Sequence, residues 1–307
     1  MTVTDIYLKV TEGFELAGGY FIDPNKRVYF GFLISTLLLA FLVYASTRPK
    51  VSFFKYLFNK KVWWGNSPKV DYLFLFLNGV FKVVFIGPFL ILGLYLSFYI
   101  KEYLLNHFDY PTVVISKFWM VLGYTLVLFV VKDLSSFLVH YLFHKVPFLW
   151  RFHKVHHAAT VLNPITQYRI HPIELLVNNL KGIFVFGVVT GLFDYLANGA
   201  FNVLAILGVN VFGFVFMALG ANLRHSHVKL FYPEWMESIF ISPVQHQIHH
   251  SQNPKHFDRN LGSVLSVWDN LVGTLIKSKD TGAIRFGLGG KENKNFVSFW
   301  QNLFPKN

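Results

Sequence analysis

Long apolar runs alternate with polar segments along this chain and predict membrane-spanning helices. The runs extend from about Val28 to Ser46, Tyr72 to Ile100, Phe118 to Val131, Leu175 to Phe193 and Phe201 to Gly220. A helix needs about twenty mainly apolar residues to cross the hydrocarbon core. The pattern therefore predicts four firm spans and one marginal span. The marginal one is Leu175 to Phe193, which Asn178, Asn179 and Lys181 interrupt.

Two features of these runs indicate their shape. A turn-like segment, residues 194–199, joins the marginal run to the run that follows it, and this arrangement predicts a helical hairpin that re-enters the membrane. The run from Tyr72 to Ile100 contains Lys82 and the pair Gly87-Pro88. It predicts either one kinked, tilted helix or two shorter pieces.

The charges between the first two runs predict the orientation of the chain. This loop has the single acid Asp71 and six basic residues, which are Arg48, Lys50, Lys55, Lys60, Lys61 and Lys69. Such an excess of positive charge is typical of cytoplasmic loops. Alternation across the next spans then places the residues after Val131 and those after Gly220 on the cytoplasmic side as well.

Composition supports a membrane protein and restricts the chemistry. The chain has 307 residues, of which 53% are hydrophobic, and it has no cysteine. The absence of cysteine excludes disulfides, iron–sulfur clusters and thiolate-ligated haem, so a metal would bind through nitrogen or oxygen. The formal charge of +12 follows from basic loops and predicts no nucleic-acid partner. We expect an all-α integral membrane protein with about four to five transmembrane helices and a cytoplasmic, histidine-rich helical cap.

Three groups of histidines have the spacing of metal ligands. They are His140 with His144, then His153 with His156 and His157, and finally His246 with His249 and His250. Residues three and four apart share one face of a helix, so each group directs its imidazoles to one place. Eight imidazoles exceed what one ion uses, and this number predicts two metal ions. The alternative, histidines that cap helices or face solvent, fits isolated residues better than three such groups.

The order of these motifs resembles the fatty acid hydroxylase/sterol desaturase superfamily. The last histidine group is followed by His256-Phe-Asp258-Arg-Asn260-Leu-Gly262, and then by Trp268-Asp269-Asn-Leu-Val-Gly273-Thr274. The resemblance covers about Phe118 to Ile276. It implies a membrane-embedded helical scaffold with a cytoplasmic cap and a histidine-ligated, non-haem di-iron centre that uses dioxygen. It also assigns the eight grouped histidines as metal ligands.

The resemblance further divides the chain into three regions. Residues 1–117 would form an N-terminal membrane region with two apolar spans and a basic cytoplasmic loop. Residues 118–276 would form the di-iron domain, and residues 277–307 a C-terminal cytoplasmic tail.

Members of this family add one or two ligands shortly before the last group, and here the candidates are His225 and His227. Residues two apart do not share a helical face, which favours only one of them as a ligand from a helix, and we favour His225. Five other residues are candidates to support the ligands by hydrogen bonds, namely Asp133, His171, His256, Asp258 and Asn260.

Two of these supporting candidates have an alternative reading. His171 starts the segment His171-Pro172-Ile-Glu174, which resembles an element common in the family. The same residues are equally typical of a helix start with proline at its first position. Asp133 alternatively marks a charge at the membrane boundary.

The chemistry expected of such a centre is oxidation of a C–H bond in a lipid that enters from the bilayer. The sequence leaves hydroxylation and desaturation open. It contains no cytochrome b5-like His-Pro-Gly-Gly segment, flavin fingerprint or cysteine cluster, so a separate electron donor, cytochrome b5-like or ferredoxin-like, is expected. The expected location is the bacterial inner membrane or the endoplasmic reticulum, with the active site facing the cytoplasm.

Other classes of protein remain open at this point. One is a membrane metal-binding or transport protein without oxygenase activity, although its spans have few ionisable residues. Another is a b-type cytochrome, which would place single histidines within facing helices. Zinc is a possible substitute for iron during purification.

Overall fold

The protein is mostly helical in the computed structural model, which describes residues 2–109, 111–112, 115–197, 205–206, 209–279 and 281–305. The α-helices are α1 (Val3–Gly19), α2 (Phe30–Thr47), α3 (Phe53–Leu57), α4 (Lys60–Trp64), α5 (Asn66–Phe81), α6 (Leu92–Phe108), α7 (Lys117–Lys145), α8 (Pro147–His157), α9 (Pro172–Ala197), α10 (Val211–Ala218), α11 (Glu234–Glu237), α12 (Pro243–His249), α13 (Val267–Val272) and α14 (Phe299–Leu303). Two short strands, β1 (Ala205–Ile206) and β2 (Val209–Asn210), pair antiparallel. Short 3₁₀ turns cover Thr166–Tyr168, Ala221–His225, Pro254–His256 and Glu292–Phe296.

Four helical stretches among the described residues are long and apolar enough to cross a membrane. They are Phe30–Thr47, Asn66–Phe108, Lys117–Lys145 and Pro172–Ala197. The marginal run is therefore part of a continuous helix, α9. Its polar residues do not break the helix because they find partners. Asn179 donates to the Leu175 carbonyl at 2.7 Å, and the Lys181 ammonium donates to the Ser136 hydroxyl at 2.6 Å.

The second stretch changes helix type at the place where the sequence predicts a kink or a break. A π turn at Lys82–Ile86 and a 3₁₀ turn at Gly87–Phe89 join α5 to α6. Pro88 has no N–H to continue the helical hydrogen bonds, which accounts for the change of helix type. In α5, the Asn78 amide donates to the carbonyls of Tyr168 and Ile170 at 3.0 and 2.9 Å. The end of α5 therefore packs against the segment that leads into α9.

Close helix packing orients α6, α7 and α9. A Cβ atom at Gly191 of α9 would lie 2.5 Å from the Ser97 carbonyl oxygen of α6, so only glycine permits this approach. On the other side of α9, the hydroxyl groups of Tyr124 in α7 and Thr190 are 2.8 Å apart. Since Ser136 of α7 contacts Lys181 nearer the start of α9, these two helices run antiparallel. The end of α7 and the start of α9 consequently lie together.

The expected helical hairpin is not formed as predicted in the residues that the structure describes. Residues 201–204 and 207–208 of the run from Phe201 to Gly220 lie outside the described residues. Within the rest of that run, α10 has eight residues, which is too short to cross a bilayer. Gly220 then turns the chain with a φ of 96°, and the 3₁₀ turn Ala221–His225 follows.

Two further segments pack more closely than the sequence indicates. Helix α1, which we did not predict, packs on α5, where a Cβ at Gly79 would lie 2.3 Å from the Gly13 carbonyl oxygen. The region expected to be a C-terminal tail enters the core of the cap. Its Asn302 is fully buried and accepts a hydrogen bond of 2.6 Å from the guanidinium of Arg169.

Candidate metal centre

Four chain segments bring nine histidines together. The last turns of α7 carry two of them, α8 carries three, the 3₁₀ turn at Ala221–His225 carries one, and α12 with the residue after it carries three. Proline stands at the first position of both α8 and α12, where its missing N–H costs no helical hydrogen bond. Ser242 and Gln245 form a capping box at the start of α12. The first turns of α8 and α12 thus contain residues that favour the start of a helix, and the histidines follow directly.

The nine histidines form two adjoining groups, each with its ligand atoms within 4.8 Å of one another. The five-histidine group contains His140, His144, His153, His157 and His249. The four-histidine group contains His156, His225, His246 and His250. The two groups meet along the chain, because His156 and His157 are consecutive residues at the end of α8.

The ring nitrogens of each group point at one another. The Nε2 atoms of His140 and His153 are 3.0 Å apart, and the Nε2 atom of His225 lies 3.1 Å from that of His246. The Nε2 atoms of His144 and His249 are buried and have no hydrogen-bond partner among the described residues. Buried polar atoms without partners are rare and costly, and a metal ion would provide the partner. These donor sets therefore fit metal ions.

In five rings the Nδ1 atom forms a hydrogen bond with an oxygen atom outside the histidine groups. The Nδ1 atom of His153 donates to Glu174 Oε1 at 2.9 Å, and that of His144 to Asp258 Oδ1 at 3.2 Å. Backbone carbonyls accept from three other rings, in the pairs His140 with Leu261 at 2.7 Å, His249 with Arg259 at 3.0 Å and His156 with Arg169 at 3.3 Å. A proton fixed on Nδ1 leaves the Nε2 lone pair free for a metal.

Burial keeps the imidazoles outside the membrane spans neutral. It lowers the pKa of His153 and of His156 to about 3. The pKa values of His157, His225, His246, His249 and His250 are also well below the usual 6.5, with burial as the main cause. Neutral imidazole is the form that coordinates metal ions, so the folded site is ready to bind them at pH 7.

His227 does not join either group. Its Nε2 atom lies 2.8 Å from the carbonyl oxygen of Tyr56, and its ring packs edge-on against the Tyr56 ring. Two positions along an irregular turn separate it from His225, which faces the centre. Nine of the ten histidines proposed as ligands are thus brought together, and the preference for His225 agrees with this arrangement.

Asp133 supports the centre differently from our expectation, because it contacts no histidine ring. Its carboxylate accepts hydrogen bonds from the backbone N–H groups of Val264 and Leu265 at 2.9 and 3.1 Å and from the Trp268 indole at 2.9 Å. The aspartate therefore ties α7 to the loop that follows the last histidine group.

Three other supporting candidates also occupy different positions from those expected. His171 accepts from the Ile173 N–H at 3.2 Å and donates to the Leu303 carbonyl at 3.1 Å, which agrees with its alternative reading as a helix start. Asn260 links the Gln245 carbonyl and the Ile276 N–H at 3.1 and 2.7 Å. Within the described part of the chain, no hydrogen bond or ring contact joins His256 to the nine histidines. Of the five candidates, Asp258 is the one that contacts a ring of the nine histidines, that of His144.

Sequence reasoning missed Glu174 as a supporting residue. Its side chain is 8% exposed and lies directly behind His153. A signal was present, because the segment His171-Pro172-Ile-Glu174 contains this carboxylate. The histidine of the same segment was taken as the candidate instead. The carbonyl partners of the rings have no sequence signal, since every residue offers a carbonyl.

Cavities reach the centre from two sides. One of about 280 Å³ touches the five-histidine group and is lined by Trp150, Phe257 and Asp258. A second of about 270 Å³, the inner cavity, touches histidines of both groups and is lined by residues of α7 and α9. A third of about 430 Å³ lies between α7 and α10, and its lining is almost wholly apolar. We call it the apolar cavity.

Residues 125–274 match the family model for fatty acid hydroxylase. This histidine-bearing region belongs to the fatty acid hydroxylase superfamily. Among curated proteins it is 28% identical to ornithine lipid hydroxylase OlsE of Rhizobium tropici over 172 residues, which are 55% of this chain and 46% of the relative. It is 25% identical to alkylglycerol monooxygenase of Caenorhabditis elegans over 57% of this chain and 32% of the relative. It is 31% identical to human cholesterol 25-hydroxylase over 47% of each chain.

The matched region spans less than half the length of each of these relatives. No solved structure matches the chain. The superfamily is therefore established by the sequence of the histidine-bearing region, while activity and substrate require their own argument.

Proposed function

We propose that this protein is a membrane-bound, non-haem di-iron oxygenase that hydroxylates a lipid with O2 and externally supplied electrons. The observation that carries the proposal is the pair of adjoining all-histidine groups, one of five and one of four side chains. Five imidazole donors exceed the four ligands of a tetrahedral zinc site. This number favours an ion of higher coordination number, and imidazole suits iron.

Each group would hold one iron ion. Bound there, a pair of ferrous ions would supply electrons to dioxygen and so provide an oxidant able to remove hydrogen from an unactivated C–H bond. The chain's own residues prepare the site for this chemistry. Burial keeps the imidazoles neutral, and Glu174 and Asp258 fix the protons of two rings on Nδ1. The buried walls of the inner cavity limit the access of water to the reacting carbon.

A lipid substrate is supported by the surroundings of the site and by the relatives. The inner cavity opens beside helices α7 and α9, which are long and apolar enough to cross a membrane. The named relatives are hydroxylases or a monooxygenase, two of them acting by name on ornithine lipid and on cholesterol. We propose hydroxylation as the outcome on this basis. A cytochrome b5-like or ferredoxin-like protein would supply the electrons.

Metal analysis and lipid mass spectrometry together test the proposal. Protein purified without oxygen should contain two irons per chain, and cells that contain it should accumulate a lipid with one added oxygen. His249→Ala should abolish the product, whereas His107→Ala, at the far end of α6, should not. Loss of two hydrogens in the product would indicate desaturation. One iron or none in active protein would reject the dinuclear centre, and unchanged lipids would favour a metal-binding or transport protein.

We also propose that the centre faces the cytoplasm, in a bacterial inner membrane or in the endoplasmic reticulum. The absence of native cysteine makes labelling of single cysteines specific. Lys60→Cys and Lys255→Cys, both exposed, should react with an impermeant reagent from the cytoplasmic side, and the exposed Asn106→Cys from the other side. Reaction of Lys60→Cys and Lys255→Cys from opposite sides would contradict this orientation.

A further inference from the structure

The inner cavity is lined by two arginines that form no ion pair with a carboxylate among the described residues. Arg27 and Arg224 both line it, although they come from distant parts of the chain. Arg224 is 2% exposed, and its Nε atom has no hydrogen-bond partner among the described residues. Another of its nitrogens donates to the Ser263 carbonyl. The guanidinium of Arg27 forms no hydrogen bond or ion pair within the described part of the chain.

The nearby acids are already engaged elsewhere. Glu174 also lines the cavity, but its carboxylate accepts the proton of His153 Nδ1. Asp133 accepts three N–H groups from the loop after the last histidine group. Neither acid lies within 4.0 Å of an arginine nitrogen among the described residues. Arg224 is buried with one nitrogen unpaired, and Arg27 is half-buried. Guanidinium groups that are withdrawn from water without a carboxylate partner are costly, so their retention beside a cavity indicates a site for an anion.

A neighbouring cavity extends this positive charge outward. It has a volume of about 260 Å³, shares Arg27 and Gln167 with the inner cavity, and adds Lys26 and Lys82 to the lining. The Lys26 ammonium pairs with the partly exposed Asp23, and the Lys82 ammonium donates to the Tyr20 hydroxyl. Cationic side chains therefore follow the path from the surface to the histidines.

The positive site also adjoins the apolar cavity. The guanidinium of Arg224 lies over the ring of Phe216, 5.5 Å from its centroid, and Phe216 lines the apolar cavity. A ligand that uses both places would have an anionic group at the arginines and a hydrocarbon chain between α7 and α10. An amphiphile with a negatively charged head has this form.

We propose that Arg27 and Arg224 bind a carboxylate or phosphate group of the lipid substrate and hold the carbon to be oxidised close to that group. The inference rests on the proposed function, because it takes the inner cavity as the substrate site. Five of the nine histidines line this cavity together with the two arginines. An anion bound by the guanidinium groups would therefore place carbons of the lipid head, rather than distant carbons of its chain, at the metal centre.

A binding experiment without turnover tests this inference. The protein would be reconstituted in nanodiscs of neutral lipid, without reductant, and offered dodecyl phosphate or dodecanol, which have the same chain. Two charge-assisted hydrogen bonds should make the phosphate bind about tenfold more tightly or better. Arg27→Gln should remove most of this preference, and Arg27→Lys should retain part of it. Arg48→Gln, at an exposed arginine, is the matched control and should keep the full preference.

Several outcomes would overturn the inference. One is equal binding of the two probes by the wild type, and another is an equal loss in Arg27→Gln and Arg48→Gln, which would indicate only general attraction. Inorganic phosphate should compete weakly, since it lacks the chain, and competition as strong as that of dodecyl phosphate would assign the site to a free anion. If Arg27→Gln lost its metal or its fold, the inference would be tested by the preference for dodecyl phosphate over dodecanol in the wild type and in Arg27→Lys. Since no turnover is measured, these results do not depend on oxygenase activity.

Discussion

Replacing Glu174 with glutamine should weaken iron binding to the five-histidine group while leaving the fold intact. The Glu174 carboxylate accepts the proton of His153 Nδ1 at 2.9 Å, and both side chains are buried. Glutamine has nearly the same size and can still accept through its amide oxygen. It removes the negative charge, however, and so lowers the basicity of the ring that faces the metal.

The expected size of this effect follows from the contact. A hydrogen bond to a charged group contributes about 1.5–3 kcal/mol, and a neutral one about 0.5–1.5 kcal/mol. Their difference, on the order of 1.4 kcal/mol, corresponds to about a tenfold loss of iron affinity. Glu174→Ala also leaves a buried N–H without a partner, so its loss should approach about a hundredfold. Asp258→Asn should have a smaller effect, because that carboxylate is 36% exposed and is shared with Lys145.

Iron affinity can be measured by competition with a chromogenic chelator. Glu234→Gln is the control, since this exposed carboxylate pairs with Lys279 and lies away from the histidines. Affinity should fall most in Glu174→Ala, then in Glu174→Gln, then in Asp258→Asn, and not in the control. Equal affinities for Glu174→Gln and Glu234→Gln would refute the reasoning that the carboxylate behind His153 tunes the metal site.

Three further results are expected. His225→Ala should lower the iron content from two ions per chain towards one, whereas His227→Ala should leave it unchanged, because only His225 faces the four-histidine group; equal losses in metal analysis would contradict this. Gly191→Ala should lower the melting temperature, because its Cβ would lie 2.5 Å from a carbonyl of α6, whereas Gly182→Ala, with open space, should not. Removing the metal with a chelator should lower the melting temperature and adding ferrous iron should restore it, since buried ring nitrogens lose and regain their partner; unchanged melting would show that the metal does not stabilise the cap.

The sequence predicts best what depends on local spacing. The histidines of α8 and α12 could be assigned to one face each because three- and four-residue spacings have the same meaning in any helix. The change of helix type near Pro88 was predictable for the same kind of reason, since proline removes a hydrogen bond within its own helix. Three of the four firm spans are confirmed as long apolar helices, and the fourth such helix is formed by the run that composition marks as marginal.

The contacts that depend on distant parts of the chain could not be predicted in this way. Glu174 meets His153 only because α8 and α9 pack together, and Asp133 meets Trp268 across 135 residues. In the marginal run, the Lys181 ammonium donates to the Ser136 hydroxyl of α7, which helps the run to form a full helix. A hydropathy pattern gives no information about such a contact between helices. The meeting of Arg27 and Arg224 at one cavity has the same origin.

The two histidine groups are unequal, and the difference connects the metal centre with the inferred anion site. Glu174 and Asp258 place negative charge behind the five-histidine group. Among the described residues, no carboxylate forms a hydrogen bond with a ring of the four-histidine group; His156 Nδ1 meets the Arg169 carbonyl, and the Nδ1 atoms of His246 and His250 are buried without a partner. The positive charge of Arg224 also helps burial to lower the pKa values of His225 and His246. An ion in this group would therefore lie in the more positive surroundings, and an anionic lipid head at Arg224 would reduce that excess only while substrate is bound.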